Sequence, residues 1–265
     1  MSDIGLICLD LDGTLLQDHW FVSDENRKAV KYAIDKGIYV CLNTGRVFTS
    51  AAAISKDVGL NAPVIASNGT IIADNKKIYV KHLLDKDLVN HFYDISKKYQ
   101  VAFHIFKPDE CVMYGSDDEL SDSWGEEAKK SLRVSFKKAD ADIIDNIDDC
   151  LKVSFTTLNK DIAKKIIGEI SQNTAIDVSL TWGAIIEVTG KGINKGSGLL
   201  ELKKLLGIEK KIMAVGDDGN DVNMLLHSDI PVAMGNALPA VKEGAVYLTE
   251  TCENNGVAKA IYHFI

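Results

Sequence analysis

Little in this sequence would cross-link or anchor it. Its five cysteines, at positions 8, 41, 111, 150 and 252, are odd in number and show neither CxxC nor zinc-ligand spacing. No disulfide framework or metal cage is expected, and reduced thiols point to a reducing, cytoplasmic setting. With four prolines in 265 residues there is no Pro-rich linker, and no repeat or low-complexity tract divides the chain. No apolar run approaches the ~18 residues that a membrane helix needs. The opening stretch has no basic region, and Asp10 and Asp12 cut its apolar run, so it does not read as a signal peptide. Positive charge is in the minority: 30 Lys and Arg against 38 Asp and Glu give −8. That balance excludes non-specific binding to nucleic acid or anionic membrane. An anionic substrate is still admissible, because a metal or a local basic group reverses the field.

What is present is ordinary globular composition, 46% hydrophobic and 26% charged, in a length that suits one large domain or two modest ones. The first third alternates strand and helix. Leu6–Leu9 is a short apolar run ending in carboxylates. A helix capped by Ser23 is stopped by Gly37, and a buried strand follows at 38–42. An alanine-rich helix over about 47–58 leads to strands at 64–66, 71–73 and 78–80, with Asn68-Gly69 as a turn. This order predicts a doubly wound parallel sheet. The middle third reads as a smaller α+β unit: a helix at 88–99, strands at 101–106, 152–156, 177–180 and 184–188, and a helix at 162–171. Its acidic stretch, 116–149, reads as a solvated face. From Gly192 the α/β rhythm returns. The expectation is an α/β core of residues 1–81 and 190–265 with an inserted unit of 82–189.

Four motifs carry chemistry. Asp10-Leu11-Asp12-Gly13-Thr14 ends the first strand, where open parallel sheets place ligands. A spacing of two puts both carboxylates on one side of an extended chain. Such a pair resists joint ionisation unless a cation intervenes or one keeps its proton. The residues read as a carboxylate nucleophile (Asp10) with an acid/base (Asp12) and a hard divalent cation, or as a loop pair capping a helix. In Asn43-Thr44-Gly45-Arg46, the Thr44 hydroxyl and the Gly45 and Arg46 amides form an anion-binding arrangement or an ordinary N-cap. Lys195 opens a helix against its dipole, which a phosphate contact would explain, although a solvated lysine costs only about 0.3–1 kcal/mol there. Gly216-Asp217-Asp218-Gly219-Asn220-Asp221 is an acidic loop that suits Mg2+.

Taken in order, these motifs resemble those of the haloacid dehalogenase-like (HAD) hydrolase superfamily, and more narrowly the Cof-type sugar phosphatases with a large α/β cap. The resemblance spans the chain, and Ser67-Asn68-Gly69 resembles a further element near the family's site. It implies a Rossmann-like core with an inserted α+β cap, and hydrolysis of a small phosphorylated metabolite through an aspartyl phosphate. Asp10 would attack phosphorus, and Asp12 would protonate the leaving oxygen and then activate water. Thr44 with Gly45, Lys195 and Asn220 would bind the phosphoryl group. Asp10, the Asp12 backbone carbonyl and Asp217 would ligate Mg2+, with Asp218 and Asp221 in support. Phosphoryl transfer between sugars, or a non-catalytic metabolite-binding module, are the competing expectations. The module should have lost Asp10 or Asp12, and neither is lost. His19 and Trp20 read as loop packing or as substrate-facing.

Overall fold

The structure is a computed structural model that describes residues 3–17, 21–115, 135–138, 144, 146–181 and 183–265. His19, Trp20 and most of the acidic stretch, including Asp117, Asp118 and Glu119, lie outside these residues. Of that stretch, Asp148 pairs with Lys107 and Asp149 with Lys81, as solvated ion pairs do.

The first strand is apolar throughout and buried throughout, which places it in the middle of a sheet. This strand, β1 (Ile4–Leu9), lies between β2 (Tyr39–Leu42) on one side and β12 (Lys211–Gly216) on the other, all parallel. Beyond β12 come β13 (Ile230–Ala233) and β14 (Tyr247–Leu248), also parallel. The order is therefore β14-β13-β12-β1-β2. The chain runs outward from β1 in one direction and from β12 in the other, so a crevice opens between their carboxyl ends.

Helix α1 (Asp24–Asp35) starts where expected, with the Ser23 hydroxyl accepting from the Asn26 amide. Helix α2 (Phe48–Val58) ends at Gly59 in the left-handed conformation. Strands β3 (Val64–Ala66), β4 (Ile71–Ala73) and β5 (Ile78–Lys81) form an antiparallel sheet that a parallel bridge between Asn43 and Ile65 ties to the end of β2. The expected turn joins β3 to β4, with Asn68 at φ 59° and Gly69 at φ 90°.

The middle of the chain builds a six-stranded sheet in the order β10-β11-β9-β6-β7-β8. Its strands are β6 (Ala102–Phe106), β7 (Glu110–Tyr114), β8 (Ser135–Lys138), β9 (Lys152–Thr156), β10 (Ile176–Thr181) and β11 (Ile185–Gly190). Two of these, β7 and β8, have no counterpart in the sequence reading. Helices α3 (Lys86–Tyr99) and α4 (Lys160–Ile170) cover one face, where Phe92, Phe103, Phe155 and Ile166 share an apolar cluster distinct from that of the parallel sheet. Helix α5 (Lys195–Leu206) then returns to the first unit, and α6 (Gly256–Phe264) closes it against α1. Asn194 caps α5, accepting from the Gly196 and Ser197 amides. Among the described residues no helix is long and apolar enough to cross a membrane.

The turn after β3 and the start of α5 touch at Gly69. A Cβ there would stand 2.2 Å from the Asn194 carbonyl oxygen, and φ is already positive. Gly69→Ala should therefore destabilise the protein by more than about 1 kcal/mol, because strain and close approach act together. Urea unfolding checks this, and an unchanged midpoint would contradict it.

Candidate active site

Asp10 is the first residue past β1, and its amide donates to the Val215 carbonyl of β12, 3.0 Å away. The nucleophile candidate thus sits at the crevice between the two diverging halves of the sheet. Lys195, 1% exposed, reaches it from the first turn of α5: Nζ lies 2.5 Å from Asp10 Oδ1 and 2.7 Å from Asp221 Oδ1. These carboxylates account for a lysine placed against a helix dipole, and a solvated lysine is excluded. Burial alone would depress the ammonium, but Asp10 and Asp221 hold it above the ordinary lysine range. Asn43, at the end of β2, donates from Nδ2 to the Lys195 carbonyl at 2.8 Å and ties the start of α5 to the sheet.

The acidic loop follows β12. Asp221 Oδ2 accepts from the Asp217 and Asp218 amides at 3.0 and 3.1 Å, and Asp218 caps the turn by accepting from the Gly219 amide. Asp217 is held by the Thr14 hydroxyl at 3.0 Å and by Asn236 Nδ2 at 3.2 Å. Gly13 is required beside it: φ is 78°, and a Cβ would come within 2.3 Å of Asp217 Oδ2.

The carboxylates of Asp10, Asp217 and Asp221 offer oxygens within 4.8 Å of one another. Burial, then the charges of Asp221 and Asp217, push Asp10 well above the carboxylate range. Burial and the Asp221 charge push Asp217 up to about 7. Crowded, all-oxygen and under-neutralised, this donor set fits a hard divalent cation.

Asp12 lies apart from that cluster. Its backbone is extended (φ −81°, ψ 121°), and its carboxylate accepts from Arg46 Nε at 2.8 Å and from the second guanidinium nitrogen at 2.5 Å. This two-pronged pairing fixes the acid/base candidate in the plane of the guanidinium. The loop that carries Arg46 is shaped by hydrogen bonds. The Thr44 hydroxyl accepts from the Arg46 amide at 3.1 Å, and the Ser67 and Asn68 amides donate to the Arg46 and Thr44 carbonyls. The Arg46 amide is thus engaged within the loop, and α2 begins only at Phe48. Asn220 donates from Nδ2 to Asn68 Oδ1 at 3.2 Å, above Gly45.

The family's sequence profile, described as haloacid dehalogenase-like hydrolase, matches residues 7–261. The chain belongs to this family. The HAD resemblance seen in the motifs, Cof-type, holds for the whole chain, as does the phosphatase class of enzyme it implied. A Bacillus subtilis protein, 5-amino-6-(5-phospho-D-ribitylamino)uracil phosphatase YcsE, is 34% identical over 99% of this chain and 96% of its own length. The structure of a haloacid dehalogenase-like hydrolase from B. subtilis covers 99% of this chain and 100% of its own, at 26% identity and a TM-score of 0.87. The fold is also that of a HAD subclass IIB sugar phosphatase, at a TM-score of 0.82 and 24% identity over 98% of both chains.

The HAD fold therefore brings Asp10, Lys195, Asp217 and Asp221 into one cluster, with Asp12, Thr44, Gly45 and Asn220 around it. The sequence reading used Arg46 only through its amide and missed its side chain, although an arginine two residues past Thr44 was a signal. Thr14 and Asn236 were also missed. Asp221→Ala should cost about 3–5 kcal/mol, since it strips Lys195 of a buried partner and leaves two loop amides without their acceptor. Chemical denaturation measures this, and a loss below about 1 kcal/mol would contradict the account.

Proposed function

We propose that the protein is a Mg2+-dependent phosphomonoesterase acting on a small phosphorylated metabolite through an aspartyl phosphate on Asp10. The observation that carries this reading is Asp10 at the crevice, neutralised on one side by Lys195 and crowded on the other by Asp217 and Asp221. Mg2+ bound by Asp10, the Asp12 carbonyl and Asp217 would neutralise the charge that otherwise repels a phosphate from a carboxylate.

Asp10 Oδ forms the bond to phosphorus as the ester P–O bond breaks, and Asp12 gives its proton to the departing alkoxide. Asp12 then takes a proton from water, whose oxygen attacks phosphorus and releases Asp10 and inorganic phosphate. Arg46 acts through Asp12 as a positioning residue. Lys195, Thr44 with Gly45, and Asn220 hold phosphoryl oxygens, while Asp218 and Asp221 support the loop and Lys195. In this division residues 1–81 and 190–265 are the core, and 82–189 form the cap that excludes water and meets the leaving group. The relative's named substrate, a ribitylaminouracil phosphate, is the first compound to assay.

Asp10→Asn keeps the shape and removes the attacking charge, so kcat should fall at least about a thousandfold with the fold intact. Hydrolysis of p-nitrophenyl phosphate measures it, and near-normal turnover would sink the mechanism. The metal has a readout besides activity. Mg2+ should raise the melting temperature of the wild type, and much less so that of Asp217→Asn, because only the folded carboxylate cluster binds it. Equal shifts in both proteins would remove Asp217 from the metal site.

A further inference from the structure

The six-stranded sheet has a second face, and it is unusual in being both polar and buried. Side chains alternate along its strands. On β9, Val153 and Phe155 enter the apolar cluster, leaving Lys152, Ser154 and Thr156 on the other face; on β11, Ile186 and Val188 enter it, leaving Glu187 and Thr189. All five of these outward residues are nonetheless buried. An uncovered sheet face would leave them in water.

At the centre of this face Lys152 pairs with Glu187. Lys152 is 2% exposed. Both oxygens of Glu187 are held, with one acceptor site to spare on the first: that oxygen meets Lys152, and the other accepts from Asn68 Nδ2 and from the Thr181 hydroxyl, both at 2.9 Å. Burial would raise this carboxyl, but Lys152 and these donors hold it below the ordinary range. Lys152 is not so well provided. An ammonium has three protons to donate. Among the described residues it meets only Glu187 and the face of the Phe106 ring, 4.6 Å from the centroid. Among the described residues this buried ammonium keeps donors to spare.

Its position shows where the missing partner would lie. A Cβ on Gly45 would stand 3.7 Å from Lys152 Nζ, 3.7 Å from Asn220 Nδ2 and 3.1 Å from Asn68 Oδ1. Polar ends from both sheets converge over the residue that follows Thr44. The absence of a side chain at Gly45 lets these groups approach one another, beside the loop that carries Arg46 and, through it, Asp12.

We propose that Lys152, positioned by Glu187, donates a hydrogen bond to a hydroxyl on the leaving group of the substrate, and so selects uncharged polyhydroxylated phosphomonoesters. This rests on the phosphatase reading above and assigns its specificity to named residues. The chemistry of the pair sets the class. A hydroxyl accepts from Lys152 and donates towards Glu187, so it fits both members. A carboxylate on the leaving group would attract Lys152 but meet the Glu187 charge in the same buried space, so acids such as phosphoglycolate are disfavoured. A leaving group with no hydroxyl near the ester leaves Lys152 short of a partner.

The test compares ribitol phosphate, phosphoglycolate and p-nitrophenyl phosphate on the wild type and on the double variant Lys152→Met/Glu187→Gln. The double change removes both charges at similar volume, so that neither partner is left buried and alone. Relative to p-nitrophenyl phosphate, kcat/KM for ribitol phosphate should fall at least about tenfold, mainly through KM, and the bias against phosphoglycolate should narrow. Parallel losses on all three esters, or none, in a variant with wild-type circular dichroism would overturn the assignment. Should the double variant not fold, Lys152→Arg serves instead. It retains the charge but replaces a compact ammonium with a bulkier planar fork, and should reduce preference for glycerol phosphate over propyl phosphate; an unchanged preference overturns the proposal. Wild-type protein inert towards every ester, with Mg2+ present, would overturn the phosphatase reading itself, whereas active wild type with unaltered ranking in the variants overturns only the role of Lys152.

Discussion

The ammonium of Lys195, wedged between Asp10 and Asp221, sets the geometry of the site. Three carboxylates within 4.8 Å repel one another strongly in a buried crevice. Lys195 offsets part of that repulsion, and two backbone amides on Asp221 offset more. What it leaves uncompensated is negative charge of the kind that a hard divalent cation neutralises. The rest of the core keeps this lysine in place. Asn194 caps its helix, Asn43 holds its carbonyl, and Gly69 lets the neighbouring turn approach α5 without a side chain between.

A second charge pair answers the first from the opposite sheet. Lys152 and Glu187 are also buried, and also hydrogen-bonded to the core through Asn68. Asn68 joins the two regions. Its amide donates to Thr44, its side chain donates to Glu187 and accepts from Asn220, and its backbone takes the left-handed conformation that asparagine tolerates better than most residues. The six-stranded sheet and the Thr44 loop are therefore joined at one residue.

The parts of this site legible in the sequence were those in which charge interrupts an apolar strand. Asp10 and Asp217 each follow a buried run, and at such a place a carboxylate has no role in packing. The start of α5 was legible at Lys195, where the α/β rhythm returns after Gly192; its cap, Asn194, was not singled out. Arg46 was harder. Its partner Asp12 is 34 residues away, and nothing local shows that a loop arginine turns inward. Lys152 and Glu187 were not legible at all. Period-two alternation separates the two faces of a strand but does not tell which face a second layer will cover. The hairpin at Asn68-Gly69 was plain from its turn chemistry, yet the way its first strand meets the end of β2, by a parallel bridge between Asn43 and Ile65, depends on tertiary packing. Strand β7 has one β-branched residue, Val112, between Cys111 and Met113, too short a signal to mark a strand, and β8 is a four-residue strand that ends in two lysines.

The division of the core between the two ends of the chain has a kinetic consequence. Lys195 is 185 residues from Asp10, and Thr14 is 203 from Asp217. Neither contact forms until β12 has docked beside β1. Loop-closure entropy on this scale opposes early formation, so the parallel sheet should be a slow and late product of folding. The intervening strands have mostly antiparallel, shorter-range pairings and can organise first. A six-stranded sheet that folds first would shorten the effective loop between β2 and β12, and so act as an internal scaffold for the parallel sheet.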